Sequence, residues 1–284
     1  MNERADSGNV NGKEPILAVA GVHKRFGGIH AVRGAHFSVA EGSITALIGP
    51  NGAGKTTLFN VITGFYPPDA GMISYQGRSI YGKAPHRIAQ RGMIRTFQIT
   101  KALRAMPVID NMLLAGSRQP GEHLHSLLTQ PRASRRREAE VRERALELLA
   151  SFDLDKKLDD YAGTLSGGQR KLLELARALM AEPRMVLLDE PMAGINPTLG
   201  RRLLEHMQKL REEDGVTFLF VEHDMDVVMN QSDEVIVMAN GETLIQDKPE
   251  VVRADPRVID AYLGGGGVAE KAEASPPAES EEHA

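Results

Sequence analysis

The sequence predicts an α/β fold with a mainly parallel core sheet, a small antiparallel β subdomain and a helical subdomain. A glycine-rich loop follows the apolar run at residues 44–48, as in a strand–loop–helix unit. Two apolar-rich runs, residues 185–188 and 217–221, end in acidic residues, which is typical of parallel strands covered on both faces. Between residues 109 and 169 the strand pattern gives way to helical periodicity.

The first hundred residues predict the antiparallel subdomain and the start of the core. A strand opens at residues 16–20, and residues 35–39 alternate apolar and polar as a half-buried strand does. Turn formers at residues 66–71 precede a short strand at 72–75. We also expect a helix over 57–64, a short helix over 85–91 and a strand over 93–98.

The remaining elements follow from periodicity and turn residues. The helical insert has a loop near residues 121–131 and an apolar stripe formed by Val141, Ala145, Leu146, Leu148 and Leu149. A buried helix is expected from residue 169 to Pro183, and another from Pro197 to residue 213. The tripeptide at residues 239–241 predicts a hairpin between strands at 234–238 and 242–245, and helix-prone residues follow from 249 to 263.

Composition excludes several classes of protein. The chain has 284 residues, a formal net charge of −4 and no cysteine, so disulfides, zinc–thiolate sites and thiol nucleophiles are ruled out. No apolar run approaches the roughly 18–20 residues of a membrane span, and the first residues are polar. We therefore expect neither secretion nor a membrane-spanning segment.

Charge and the two ends of the chain indicate little about partners. The mildly acidic balance gives no attraction to nucleic acid, and no nucleic-acid partner is expected. The basic cluster at residues 135–137 is interpreted as a solvated helix face, because Glu138, Glu140 and Glu143 follow at helical spacing. Residues 1–13 are predicted to be a disordered arm and residues 265–284 a flexible tail.

The glycine-rich loop, GPNGAGKTT at residues 49–57, fits the pattern G-x-x-x-x-G-K-[ST]. In such a loop the backbone N–H groups surround a β-phosphate, Lys55 neutralises β- and γ-phosphate oxygens, and Thr56 offers a hydroxyl to Mg²⁺. The loop predicts binding of a nucleoside triphosphate. Its candidate binding residues are Asn51, Gly52, Ala53, Gly54, Lys55, Thr56 and Thr57.

Polar residues follow two other predicted strands, and ligands of open parallel sheets lie beyond the carboxyl ends of the strands. Asp189, with Thr56, suits a metal ion. Glu190 can take the proton of an attacking water, and His223 is placed to contact the γ-phosphate. The alternatives are a solvated strand-end carboxylate for Glu190 and a helix N-terminal residue for His223.

A second potential anion site lies at Ser166, Gly167 and Gly168, which open a helix and leave backbone N–H groups free. An ordinary helix cap is the alternative interpretation. Spacing alone does not explain why one chain would have two phosphate-facing helix starts.

Taken together, the motifs resemble those of ATP-binding subunits of ABC transporters, over about residues 17–264. The resemblance rests on the P-loop, the signature-like LSGGQ at 165–169, the Walker B-like LLDEP at 187–191, the Q-loop-like Phe97-Gln98 and the switch-histidine-like VEHD at 221–224. It implies a P-loop NTPase of the ABC ATPase type. The core would comprise residues 14–98 and 170–264, and the helical subdomain residues 99–169.

The same resemblance implies cofactors and partners. ATP and Mg²⁺ would bind, with Gln98 sensing the metal and the γ-phosphate. Two ATPase subunits would meet head to tail, the second being either a homologous paralogue or another copy of this chain, with Ser166, Gly167, Gly168 and Gln169 capping the ATP of the partner. Two transmembrane permease subunits and, indirectly, a solute-binding protein would complete an importer, and the chain would lie on the cytoplasmic face of the cell membrane.

Within this family the sequence is similar to the first of the paired ATPases of branched-chain amino acid importers. The similarity rests on FGG at 26–28, TGFY at 63–66, RTFQ at 95–98, AGINP at 193–197 and DAYLG at 260–264. Phe26 stands where an aromatic residue stacks on adenine, with core packing as its alternative. Asn196 replaces the aspartate of many family members, which leaves the cross-dimer contact open.

Related importers match the same pattern, and two other classes of protein match it less fully. Importers of urea, amides or aromatic acids share these motifs, so the solute stays open. A soluble ABC ATPase of translation or DNA repair would carry two cassettes or a long coiled-coil insert, and neither is visible in the sequence. In a small-molecule kinase that uses the same P-loop, the glycine-rich LSGGQ segment would have no role.

Overall fold

Two β-sheets organise the computed structural model of the chain, which describes residues 15–96, 103–116 and 131–263, with side chains from residue 136 onward in the last range. The strands, in chain order, are β1 Pro15–Phe26, β2 Ile29–Ala40, β3 Ile44–Ile48, β4 Ala70–Tyr75, β5 Arg78–Ser79, β6 Met93–Arg95, β7 Met185–Asp189, β8 Thr217–Val221, β9 Glu234–Ala239 and β10 Glu242–Asp247.

Helices connect these strands. They are α1 Lys55–Ile62, α2 Pro85–Ala89, α3 Val108–Ala115, α4 Pro131–Ser151, α5 Gly167–Leu179, α6 Pro197–Asp214, α7 Met225–Gln231, α8 Pro249–Ala254 and α9 Pro256–Leu263. Short 3-10 turns lie at Asp155–Lys157 and Ala162–Thr164. In the described part of the chain, no helix is both long enough and apolar enough to cross a membrane.

The larger sheet has the order β10-β9-β3-β8-β7-β6, and β9, β3, β8, β7 and β6 run parallel. All five residues of β3, β7 and β8 are buried, as the apolar runs predict. Asp189 is paired with Val221 across the β7–β8 register. The ends of β7 and β8 therefore deliver Glu190 and Glu222 to the same edge of the sheet.

The smaller sheet is antiparallel, with the order β2-β1-β4-β5. It joins the larger sheet through Gln246 of β10, whose amide accepts from Ser38 N at 3.1 Å and donates to Ser38 O at 2.7 Å. β1 and β2 are much longer than predicted, because shifts of register, one of them at Gly21 with φ +59°, interrupt the alternation that marks a strand.

The helices mostly lie where periodicity places them. α1 is a correction: it begins at Lys55 and ends at Ile62, two residues earlier at each end than the predicted 57–64. The reason is that the helix starts directly at the glycine of the loop, Gly54. In α4 the predicted stripe is buried except Leu146, which is 37% exposed. In the basic cluster, Arg136 is exposed and lies 3.1 Å from Glu140, as expected for a solvated helix face, and the side chain of residue 135 lies outside the described part.

Two apolar clusters cover the two faces of the larger sheet. Ala46 and Ile48 of β3 pack in one cluster with the helical insert, α5 and α6. Leu47 faces the other way and packs with α1 and the antiparallel sheet. Successive residues of a strand point to opposite faces, so β3 is held between two cores and its end is fixed in place.

Candidate active site

The glycine-rich loop follows β3 and wraps onto neighbouring backbone. At Gly49 (φ +149°) an added Cβ would lie 2.0 Å from the carbonyl oxygen of Met238, and at Gly54 (φ +96°) it would lie 2.3 Å from that of Ala31. No other residue fits either position. The turn between β9 and β10 braces the loop, since Gly241 N donates to Ala53 O at 3.1 Å. The loop is thereby anchored to the β9–β10 turn.

Lys55 is the buried cation of this loop, at 7% exposure. Its Nζ donates to Gly49 O at 2.7 Å and to Pro50 O at 3.0 Å. Burial lowers the pKa of Lys55, and the carboxylates of Glu190 and Asp189 oppose that shift. The carbonyl oxygens are uncharged partners, so phosphate oxygens in the loop would give this buried ammonium the anionic partners that it lacks there.

A cavity of about 410 Å³ opens beside the loop. The predicted residues that line it are Asn51, Gly52, Ala53, Gly54, Lys55, Thr56, Thr57, Glu190 and His223. The sequence reasoning missed the residues contributed by β2 and by the β9–β10 turn, which are Ile29, His30, Ala31, Arg33, Asn240 and Gly241. Asn240 and Gly241 were recognised only as a hairpin turn, and no local signal marks the β2 residues.

Glu190 and His223 meet at the edge of this cavity, with Glu190 Oε1 at 2.9 Å from His223 Nε2. The two residues are 33 apart in the chain, and the parallel β7–β8 pairing brings them together. Glu190 has φ +50°, in the left-handed region that a residue with a side chain rarely adopts. Such strain is typical of functional sites held in place by their surroundings.

Asp189 is 5% exposed and forms a buried ion pair with Arg95, whose Nη2 donates to Oδ2 at 2.8 Å. Nη1 of Arg95 also donates to Asn60 Oδ1 of α1 at 2.7 Å. Arg95 thus joins β6, the helix after the loop and the acidic end of β7. Sequence reasoning missed Arg95, although a cation in a short strand beside two acidic strand ends was an available signal.

Ser166, Gly167, Gly168 and Gln169 do not line the cavity. Ser166 caps α5 in a capping box: its hydroxyl accepts from Gln169 N at 3.2 Å, and its own N–H donates to Gln169 Oε1 at 3.0 Å. The cap interpretation is therefore correct locally. The backbone N–H groups of Gly167 and Gly168 still lie at the positive end of a helix of 13 residues.

Three further predicted residues have different outcomes. Phe26 is 41% exposed and contacts Tyr66 edge-on with 5.2 Å between ring centres, so it is not a core residue. Asn196 caps α6, its Oδ1 accepting from Leu199 N at 2.8 Å. Gln98, together with the end of the predicted strand at 93–98, lies outside the described residues.

Comparison with known proteins finds two matching family models and relatives that are similar over most of the chain. A family model described as ABC transporter matches residues 32–193, and one described as branched-chain amino acid ATP-binding cassette transporter matches residues 246–268. The chain is 44% identical over 250 residues to the high-affinity branched-chain amino acid transport ATP-binding protein BraF of Pseudomonas aeruginosa. That alignment covers 88% of this chain and 98% of BraF.

Solved structures agree with the sequence relatives. An ATP-binding cassette of an ABC transporter in its ADP conformation is 39% identical and superposes with a TM-score of 0.76, over 89% of this chain and all of that one. A cassette described as dimeric, in a post-hydrolysis state with ADP and Pi, is 25% identical with a TM-score of 0.68. That match covers 82% of this chain and 98% of the other.

Proposed function

Because the chain belongs to the ABC transporter family, we propose that it binds and hydrolyses ATP to power an importer of branched-chain amino acids. The observation that carries the catalytic part is the contact of 2.9 Å between Glu190 and His223 at the edge of the cavity that holds Lys55. The solute is supported by the names of the relatives and by the match at residues 246–268.

In this proposal the glycine-rich loop, the pair Glu190–His223 and the nearby Phe26 each have a chemical task. The loop N–H groups of residues 51–57 donate hydrogen bonds to the phosphate oxygens, and the Lys55 ammonium neutralises part of their charge. Glu190 takes the proton of the attacking water, and His223 orients the Glu190 carboxylate through their short contact. Phe26 offers an exposed ring on which adenine stacks, and Tyr66 holds that ring by its edge.

Thr56 and Asp189 would hold Mg²⁺. The donor set fits this ion, since Mg²⁺ takes one or two protein oxygens and completes its shell with water and phosphate. Arg95 binds Asp189 Oδ2, which leaves Oδ1 for the ion. When bound, the ion neutralises charge on the β- and γ-phosphate oxygens.

Two observations on this chain support the proposed partners. Ser166, Gly167, Gly168 and Gln169 lie outside the cavity of their own chain, and a head-to-tail partner would bring such a helix start onto its γ-phosphate. Two permease subunits would dock on the helical insert, where Leu103 and Leu114 are 45% and 58% exposed. The chain would then lie on the cytoplasmic face of the membrane.

Substitution of the base tests the catalytic assignment. Glu190→Gln keeps the shape but weakens the base, so we expect the turnover number for ATP to fall at least about 100-fold while binding of fluorescent MANT-ATP is retained. Glu242→Gln, on the exposed start of β10, is the matched control and should hydrolyse ATP at the wild-type rate. Wild-type hydrolysis by Glu190→Gln would mean that the catalytic assignment is wrong.

The solute requires a cellular test. Deletion of this chain should abolish uptake of radiolabelled leucine, isoleucine and valine, and re-expression of wild type but not Glu190→Gln should restore it. Unchanged leucine uptake together with lost urea or benzoate uptake would transfer the proposal to one of the related importers.

A further inference from the structure

Lys171 lies on α5, five residues after Ser166, and its side chain leaves the helix toward the end of β7. Its Nζ donates to the carbonyl oxygens of Glu190 at 2.8 Å and Pro191 at 3.2 Å. These bonds join the helix that starts with the glycine-rich segment at 166–168 to the segment that carries the proposed catalytic base. Nothing in the proposed ATP chemistry requires Lys171.

The segment that receives these bonds, the acidic turn of residues 189–193, is conformationally unusual. Glu190 has φ +50°, and a left-handed residue with a side chain persists only where several contacts fix it. Its N–H donates to Val221 O at 3.0 Å, and its carbonyl accepts from Ala193 N at 3.2 Å as well as from Lys171. The Glu190 backbone is thus held on both sides.

Glu222 supports the same turn from β8. It is 4% exposed and accepts from Met192 N at 2.7 Å and from His223 N at 3.1 Å. Burial lowers the pKa of Lys171, whereas the carboxylates of Glu222, Glu174 and Glu190 oppose that shift. Lys171 therefore lies among acidic groups, which attract its ammonium, and its two hydrogen bonds to carbonyl oxygens fix the position of its side chain.

We propose that Lys171 is a positioning residue that sets the orientation of Glu190, and that it transmits the position of α5 to the catalytic carboxylate. The inference rests on the proposed function, in which Glu190 is the base and the start of α5 meets the ATP of the partner. Engagement of α5 with one ATP then adjusts the base that acts on the other.

Lys171→Met removes the ammonium and keeps the length of the side chain. We expect the turnover number to fall about 10- to 100-fold, as for a misplaced catalytic group, while KM and the affinity for MANT-ATP stay within about twofold. Lys171→Arg should recover most of the turnover, because a guanidinium also donates to two carbonyls. Lys209→Met, with Lys209 61% exposed on α6, is the control and should match wild type.

A double-mutant cycle with Glu190→Gln separates positioning from a general structural effect. If Lys171 acts through Glu190, adding Lys171→Met to Glu190→Gln should lower the residual turnover by less than about twofold. A tenfold further loss, or wild-type turnover of Lys171→Met, overturns the inference. Should Lys171→Met fail to fold, Lys171→Gln keeps an uncharged NH₂ donor group on a shorter side chain and should give an intermediate turnover; equality with wild type would again contradict the inference.

These outcomes are distinct from a failure of the proposed function. Glu190→Gln with wild-type turnover refutes the assigned base. An inactive Glu190→Gln beside a fully active Lys171→Met refutes only the role of Lys171.

Discussion

The ion pair between Arg95 and Asp189 makes a stability prediction whose size follows from burial. The two side chains are 6% and 3% exposed, and N···O is 2.8 Å. Arg95→Met removes the cation that contacts the buried Asp189 carboxylate directly, and removal of one partner of a buried pair costs about 3–5 kcal/mol. At about 2 °C per kcal/mol for a chain of this size, we expect the melting temperature to fall by about 6–10 °C.

Thermal unfolding followed by circular dichroism, without nucleotide or Mg²⁺, measures this effect. Arg211→Met is the matched control: its pair with Asp233 has N···O of 3.1 Å but side-chain exposures of 25% and 40%, so it should cost less than about 1 kcal/mol. Combining Arg95→Met with Asp189→Asn removes the unpaired charge and should restore at least half of the loss. An Arg95→Met variant as stable as the control would refute this reasoning.

Three further predictions concern the ligand site and its support. Lys55→Ala should abolish MANT-ATP binding. Ser166→Arg should preserve MANT-ATP binding but prevent ATP-dependent dimerisation, as measured by size-exclusion chromatography. Equal loss of ATP binding in both variants would refute an ATP site shared between two subunits. The chain has no tryptophan, so the emission of Phe26→Trp should change on titration with ATP, and no change at saturating ATP would refute adenine stacking. Burial raises the pKa of the Glu222 carboxyl above its usual value, so ionising this group costs more free energy in the folded chain than in the unfolded chain. Wild type therefore loses stability as the pH rises through the raised pKa, whereas a glutamine at this position does not ionise. The melting temperature of Glu222→Gln relative to wild type should therefore increase from pH 4 to pH 8, and a constant difference would contradict this.

Most of the fold could be predicted from short sequence patterns, namely apolar runs, helical periodicity and turn residues. β3, β7 and β8 are buried along their whole length, and their apolar composition was sufficient to recognise them. The hairpin at residues 239–241 was equally readable, since Asn240 and Gly241 adopt φ of +52° and +86° as its tight turn requires. β5 was missed because two exposed residues carry no pattern.

The supports of the candidate site could not be predicted, because they join residues distant in sequence. Arg95 and Asp189 are 94 residues apart, and Gln246 and Ser38, which join the two sheets, are 208 apart. Each residue alone fits an ordinary solvated side chain. Only the assembled sheet order makes them neighbours, so a motif shows the groups that contact a ligand but not those that hold the motif in place.

The start of α5 packs against the segment that follows the acidic turn, and this contact bears on how the two ends of the proposed shared ATP site are coupled. A Cβ on Gly168 would lie 2.3 Å from Leu199 Cδ2 and 3.1 Å from Ile195 Cγ2, so α5 lies directly against the segment that follows Glu190. Lys171 adds hydrogen bonds to the same segment. Because packed interiors shift between discrete arrangements rather than deform gradually, we expect a displacement of the α5 N-terminus to move the Glu190 segment with it. The glycines at 167–168 and the base at 190 would serve two different nucleotides in the proposed dimer, and these contacts couple the two within one chain.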